Sequence, residues 1–312
     1  FISEASYSQD SIDYSINASL LTEADQLIIK QKISFINQNN SLNKIYLNDW
    51  ANSYSSTKSP LADRLVEEYT RSFYLSAKSK RGYTLISNIY VNGTLGKWKR
   101  NDKNLDIIEI IFEKPIKKGI VTIDLSYIIK LPSSKFTGYG KIKKDQYFLE
   151  NFFITLSNFD GIKQSFYSNL DLEEDPINSS KFKVELRIDK DLKAYSSLDL
   201  KDFNKENGEV VYFFQSNKIR QMIFLIGNTD LNVKEFLLDD RLINININSK
   251  DYKLESQKVS MKRIFEFVKS IDALNQPSKI LITNEKYSKR PFYGLSIMPT
   301  FLNSFSRSFE FE

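Results

Sequence analysis

Between residues 12 and 20 the chain reads Ile12-Asp13-Tyr14-Ser15-Ile16-Asn17-Ala18-Ser19-Leu20. Every second residue is apolar and those between are polar, the period of a strand with one face in a core and the other in water. The pattern recurs imperfectly over residues 26–36, where Leu27, Ile29, Ile33 and Phe35 mark a face. It returns strictly over residues 242–248, on Ile243, Ile245 and Ile247. Between these stretches, residues 42–50, 83–91, 106–112, 119–129, 146–155, 182–188, 210–214 and 221–226 read as further strands, separated by turn chemistry such as Asn92-Gly93 and Gly138-Tyr139-Gly140. Strands at this spacing predict a mainly β fold, an antiparallel β saddle or sandwich.

Two segments break the pattern. Ser59-Pro60 precedes Leu61, Leu65 and Tyr69, so a hydroxyl cap and a first-turn proline open one short helix. Over residues 256–275, Val259, Ile264, Phe267, Val268, Ile271 and Leu274 recur at three- and four-residue spacing, which predicts a long amphipathic helix. A strand at 279–283 follows, and this helix-then-strand pair predicts that an α/β domain begins here. The expected division is residues 1–235 as the β domain and 236–312 as an incomplete second domain. Its apolar helix face would need a cover, supplied by the first domain or by self-association.

Composition restricts the chemistry more sharply than any motif. The 312 residues contain no His and no Cys, so the usual zinc ligands and the usual hydrolase bases and nucleophiles are missing from the chain. No catalytic residue and no metal ligand is expected within it, and no cofactor. The sequence holds no H-E-x-x-H, P-loop, G-x-G-x-x-G or G-x-S-x-G. The formal net charge of +5 is too diffuse for a nucleic-acid partner. The basic stretches 78–81, 97–103 and 141–144 read as solvated turns, and the acidic pairs Glu67-Glu68, Glu173-Glu174-Asp175 and Asp239-Asp240 as solvated carboxylates. No apolar run reaches 18 residues, so no membrane-spanning helix is expected. Phe1 is not an initiator residue, and the chain is expected to begin after a cut. Tyr147-Phe148 and Phe152-Phe153 put neighbouring aromatics on opposite faces of one expected strand, so one face must meet something other than the common core.

Taken in order, several segments resemble the N-terminal part of the aminopeptidase N family of zinc metallopeptidases, in its divergent bacterial form. They are Tyr14-Ser15-Ile16-Asn17-Ala18, Ile33-Ser34-Phe35-Ile36-Asn37 and Ile45-Tyr46-Leu47-Asn48-Asp49-Trp50-Ala51-Asn52-Ser53-Tyr54. The last is similar to the family's L-x-x-W-x-N-A-Y region and continues into Ser59-Pro60-Leu61-Ala62. Residues 147–161 resemble the family's Y-x-L-T-Q-W-F-P-K-P-A-V-Y-D-x-x-G stretch. Residues 279–294 stand where the first strand of a thermolysin-like catalytic domain leads toward G-x-M-E-N.

The resemblance implies a β saddle that packs on a catalytic domain and frames a peptide site. The zinc ligands and catalytic Glu would belong to the remainder of that domain, so zinc is expected of a full-length parent only. The family's peptide-holding Gln falls on Asn151, one methylene shorter. Gly294-Leu295-Ser296-Ile297 aligns with the exopeptidase motif and lacks its Glu and Asn, so a hydroxyl at Ser296 stands where a carboxylate would pair with an amine. Asn151, Gly294 and Ser296 are thus the expected substrate-binding positions, with a peptide or protein as partner. The alternative is a pseudoenzyme or protein-assembly module of the cell envelope. The periplasm or envelope is the compartment that analogy suggests.

Overall fold

The structure, a computed structural model, describes residues 12–171, 180–219, 222–228, 233–238, 241–246, 262–263, 266, 279–284 and 295–298. Strands β1 (Ile12–Leu21), β2 (Gln26–Asn37) and β3 (Leu42–Asn48) lead into a 3₁₀ helix (Trp50–Ser55) and the helix α1 (Pro60–Glu67). There follow β4 (Tyr83–Val91), β5 (Thr94–Leu95), β6 (Lys97–Arg100), β7 (Ile107–Ile116), β8 (Gly119–Lys130), β9 (Gly140–Lys143), β10 (Gln146–Glu150) and β11 (Thr155–Leu156). Next come β12 (Ser180–Asp189), β13 (Lys193–Ser196), β14 (Asp199–Glu206), β15 (Glu209–Ile219) and β16 (Ile223–Gly227). The last described strands are β17 (Val233–Leu238), β18 (Arg241–Asn246), β19 (Lys279–Asn284) and β20 (Leu295–Met298). The fold is mainly β, as the alternation predicts.

An eight-stranded sheet has the order β14-β15-β12-β1-β2-β8-β4-β5, and three four-stranded sheets have the orders β13-β16-β10-β9, β11-β3-β7-β6 and β17-β18-β19-β20. Pairing in the first three is antiparallel except between β1 and β12, which run parallel with Ile12 opposite Ser180. A parallel neighbour needs a long connection, and here most of the chain supplies it. In the last sheet β18, β19 and β20 are mutually parallel.

The large sheet has one dry face. In β1 the residues Ile12, Tyr14, Ile16, Ala18 and Leu20 are buried while those between face outward. Tyr14 stacks on Phe182 at 5.1 Å and meets Phe153 edge-on at 5.5 Å. Each such fully buried side chain stabilises the fold by roughly 1.5–3 kcal/mol. The sheet containing β10 and β16 is buried on both faces. Tyr147, Leu149, Phe224 and Ile226 join the main core, while Phe148, Ile223 and Leu225 form a second cluster with Ile142, Tyr195 and Val233. Tyr147 and Phe148 therefore do meet two different environments, as the sequence requires, and the second is made by this chain itself.

Other expectations need correction. The strand expected over 146–155 is two, β10 and β11, in different sheets. The break falls at Asn151, whose φ of 38° is left-handed, and Phe152 and Phe153 lie between the strands, both in the main core. That irregular stretch is pinned to the large sheet by polar groups buried among apolar ones. The Ile154 N–H donates to the Tyr127 hydroxyl at 3.2 Å, the Leu156 N–H donates to the Tyr14 hydroxyl at 3.1 Å, and Gln31 Nε2 donates to the Ile154 carbonyl at 2.5 Å. The basic stretches at 97–103 and 141–144 are not simply turns, since β6 and β9 occupy much of them, both at sheet edges. Lysine-rich edges discourage pairing with other chains, so charge here accompanies a strand and hides its signal. The polar strand β14, also an edge, escapes detection for the same reason.

Helix α1 matches its sequence signature. Ser59 Oγ accepts from the Ala62 N–H at 3.3 Å, and Leu61, Ala62 and Leu65 are buried. Glu67 and Glu68 pair with Arg64 of the same helix. Of the helix expected over 256–275, Lys262, Arg263 and Glu266 are helical. Its apolar face lies outside the described residues, as do Glu173-Glu174-Asp175 and Asp239-Asp240. The strand expected at 279–283 is β19.

Candidate functional site

At the end of β3 the backbone turns abruptly, because Asp49 and Asn52 are committed to neighbours. The Asp49 N–H donates to the Asp106 carbonyl at 2.7 Å. Its buried carboxylate accepts from Thr84 Oγ1 at 2.8 Å and pairs with Arg100 at 2.7 Å. Asn52 donates to the Leu105 carbonyl at 2.7 Å and accepts from the Thr84 N–H at 3.0 Å. A carboxylate this dry persists only with partners of this kind. The 3₁₀ helix that follows thus presents Trp50 and Tyr54 at a fixed place beside the end of β10.

Residues 167–171 are strapped across this helix. Trp50 Nε1 donates to the Tyr167 carbonyl at 3.2 Å, and Asn169 Nδ2 donates to Ser53 Oγ at 3.1 Å. Asp106 holds the strap from below, accepting from Ser168 Oγ at 2.9 Å and the Asn169 N–H at 2.6 Å. Burial raises the Asp106 carboxyl to about 6, against those two hydrogen bonds, with the nearby Asp49 charge pushing the same way as burial.

A pocket of about 30 Å³ lies where these pieces meet, lined by Trp50, Tyr54, Tyr139, Glu150, Asn151 and Asp171 among others. Its volume is about the share of one liquid water. Tyr54 shares a 2.6 Å hydrogen bond with Thr137 and lies 5.4 Å from the Tyr139 ring. The Tyr139 hydroxyl is buried and has no hydrogen-bond partner among the described residues. Burial drives its pKa well up, and the neighbouring Tyr54 and Asp49 add to the rise, so it is a neutral donor seeking an acceptor. The loop carrying it depends on Gly140. A Cβ there would lie 2.1 Å from the Pro132 carbonyl oxygen, and φ is +111°.

Of the positions expected to bind substrate, Asn151 lines this pocket. Its N–H donates to the Met222 carbonyl and its Oδ1 accepts from the Met222 N–H, both at 3.0 Å. That oxygen fastens the end of β10 to the residue before β16. Ser296 is on β20, opposite Ile282 in the register with β19. Gly294 lies outside the described residues. Tyr139, Glu150 and Asp171 were not among the expected site residues. The Gly138-Tyr139-Gly140 triplet was legible as a turn, and nothing local showed that its tyrosine would be buried without a partner.

No group of three or more His, Cys, Asp or Glu that could hold a metal occurs among the described residues.

Neither a family model nor a curated protein matches the sequence. The fold is similar to that of the M1 zinc metallopeptidase from Deinococcus radiodurans, with TM-score 0.54 and 11% identity over 93% of this chain and 60% of that one. A substituted form of that enzyme, bound to a Tyr-Ser-Ala substrate, gives 0.54 and 12% identity over 93% of this chain and 61% of its own. Native yeast LTA4 hydrolase gives 0.54 and 10% identity, covering 97% of this chain and 42% of that one. The chain thus spans about 60% of the bacterial enzyme's length. At these identities the likeness is one of fold.

Proposed function

We propose that this chain is the non-catalytic N-terminal portion of an M1-metallopeptidase-related protein and forms one wall of a peptide-binding site. On this reading residues 1–235 are the framing β domain and 236–312 open the catalytic-like domain. The observation that carries the proposal is the pocket at the end of β10, where Asn151 sits beside the buried, unsatisfied Tyr139 hydroxyl. An orphan donor of this kind costs about 1–3 kcal/mol unless something occupies the site, and a peptide carbonyl is a suitable acceptor. The fold likeness over most of the chain supports the same assignment.

The role left to the chain is orientation. Tyr139 would donate to a single backbone carbonyl, all that a pocket of about 30 Å³ admits, and the Glu150 and Asp171 carboxylates would favour a positively charged amino terminus. Gly294 and Ser296 are proposed to border the same peptide without a carboxylate contribution. With neither imidazole nor thiolate in the chain, zinc belongs, on this reading, to the remainder of the parent protein.

The test uses the full natural gene product. Its intact mass and zinc content are measured together, and binding of a tripeptide with a free amino terminus is followed by tryptophan fluorescence. The expected result is saturable binding that Tyr139→Phe weakens several-fold while circular dichroism stays unchanged. Binding that is absent, or indifferent to Tyr139, would sink the proposal. One observation favours a second reading, a pseudoenzyme or assembly module: Asn151 Oδ1 is already engaged by Met222. A larger gene product with peptide or protein binding and no stoichiometric zinc would select it.

A further inference from the structure

A cavity of about 540 Å³ opens between residues 72–80, the end of β8 and strand β9. It shares no lining residue with the pocket at Asn151. Five lysines, Lys80, Lys130, Lys135, Lys141 and Lys143, line it, and Asp25 is the acid among the described lining residues.

The arrangement is built rather than incidental. Asp25 occupies the β1–β2 turn in a left-handed conformation, φ 50°. From there its carboxylate reaches Lys141 Nζ at 2.6 Å and Lys130 Nζ at 3.4 Å, and it accepts from the Tyr147 hydroxyl at 3.0 Å. Lys130 Nζ also donates to the Ala24 carbonyl at 2.5 Å. One carboxylate thus fixes two ammonium groups and cancels only one charge. Lys80 and Lys135 stand exposed at the rim. Serines at 72, 76, 79 and 133 add hydroxyls, and Leu131, Pro132, Phe136 and Ile142 form an apolar wall.

A concave surface of one sign focuses its field and raises the local concentration of counter-ions. The volume lies within the range of small-ligand sites, roughly 300–1,000 Å³. The lining has lysines and no arginine. Each lysine meets an anion as a compact point charge with three donors, and several of them converging on one site suit a group that concentrates two or more negative charges on a few oxygens, as a phosphate does. The apolar wall suits an organic portion. We propose that this cavity binds a small organic phosphate or diphosphate, held by the Asp25-fixed Lys130 and Lys141 on one side and by Lys80 and Lys135 on the other. This proposal does not depend on the peptide reading.

The probe is inorganic pyrophosphate, titrated calorimetrically into the intact protein at physiological ionic strength, with its effect on Tm compared with chloride of matched ionic strength. The expected result is one saturable site and a Tm that rises with pyrophosphate. The double variant Lys80→Gln/Lys135→Gln changes two exposed side chains, so its fold should be retained, which circular dichroism checks. Binding in it should fall about tenfold or more, the scale of lost charge-assisted contacts. Lys205→Gln on β14 should leave it unchanged. A Tm that responds no more than to chloride would overturn the proposal. So would equal weakening by Lys205→Gln, or an acidic tripeptide that binds more tightly than pyrophosphate.

Discussion

Asn151 and Met222 close a two-bond ring: the Asn151 N–H donates to the Met222 carbonyl and the Asn151 side-chain oxygen accepts the Met222 N–H, each at 3.0 Å. Because Asn151 is left-handed there, the same residue ends β10, redirects the chain into the core and secures the approach to β16. A position expected from sequence to face a ligand is thereby also a structural joint.

Asn151→Ala should therefore destabilise the fold by about 2–4 kcal/mol, from the buried Met222 N–H left unpaired and the loss of asparagine's greater tolerance of the left-handed region. Asn151→Gly relieves the second cost and should lose only about 1–2 kcal/mol. Urea unfolding of both variants checks the order. Equal midpoints for the two would show that the backbone conformation contributes nothing.

The Asp49–Arg100 pair buries a carboxylate that is 1% exposed, while the arginine side chain is 20% exposed. Arg100→Ala strands that charge and should cost about 3–5 kcal/mol. Asp49→Asn leaves a neutral group able to keep the Thr84 contact and should cost less. Denaturant midpoints for the two single variants give the comparison, and a harmless Arg100→Ala would contradict the electrostatic account.

Asp106 makes stability depend on pH in a definite direction. Its carboxyl titrates near 6 in the folded chain, against about 3.9 when unfolded, so the folded state holds the extra proton between those values. Its contribution is fully present below about pH 4 and is lost as pH rises through 6, a change on the order of 3 kcal/mol. Asp25 acts oppositely. Burial pushes its carboxyl up, but the Lys141 and Tyr147 hydrogen bonds and the two lysine charges outweigh this and lower it. The decisive quantity is therefore the pH 4-to-7 change in unfolding midpoint of the native chain minus that of Asp106→Asn. A native chain that does not lose more stability than the variant over this range would refute the assignment.

Gly140→Ala should cost about 4 kcal/mol or more, the range reserved for severe backbone conflicts, since the new methyl would overlap the Pro132 carbonyl. Gly93→Ala provides the contrast. Its φ is +78° but nothing lies within 4 Å, so about 1 kcal/mol is expected. Thermal unfolding of the pair separates collision from conformational preference, and similar losses would mean that the loop at 140 can move aside.

The parts of this protein written locally are legible without coordinates. Alternation over 12–20 marks which residues of β1 face the core, and Ser59-Pro60 marks the start of α1. Alternation, however, encodes a buried face and not the partner that buries it. The parallel match of Ile12 with Ser180, the fastening of Asn151 to Met222 where β10 ends, and the gathering of five lysines around one cavity all join residues distant in sequence. The charged edge strands β6, β9 and β14 carry little apolar signal, because one side of an edge faces water. Tyr139 shows the limit most clearly. Its place in a glycine-flanked turn is local information, but the burial of its hydroxyl was decided only when the 3₁₀ helix, the end of β10 and the 167–171 strap closed around it.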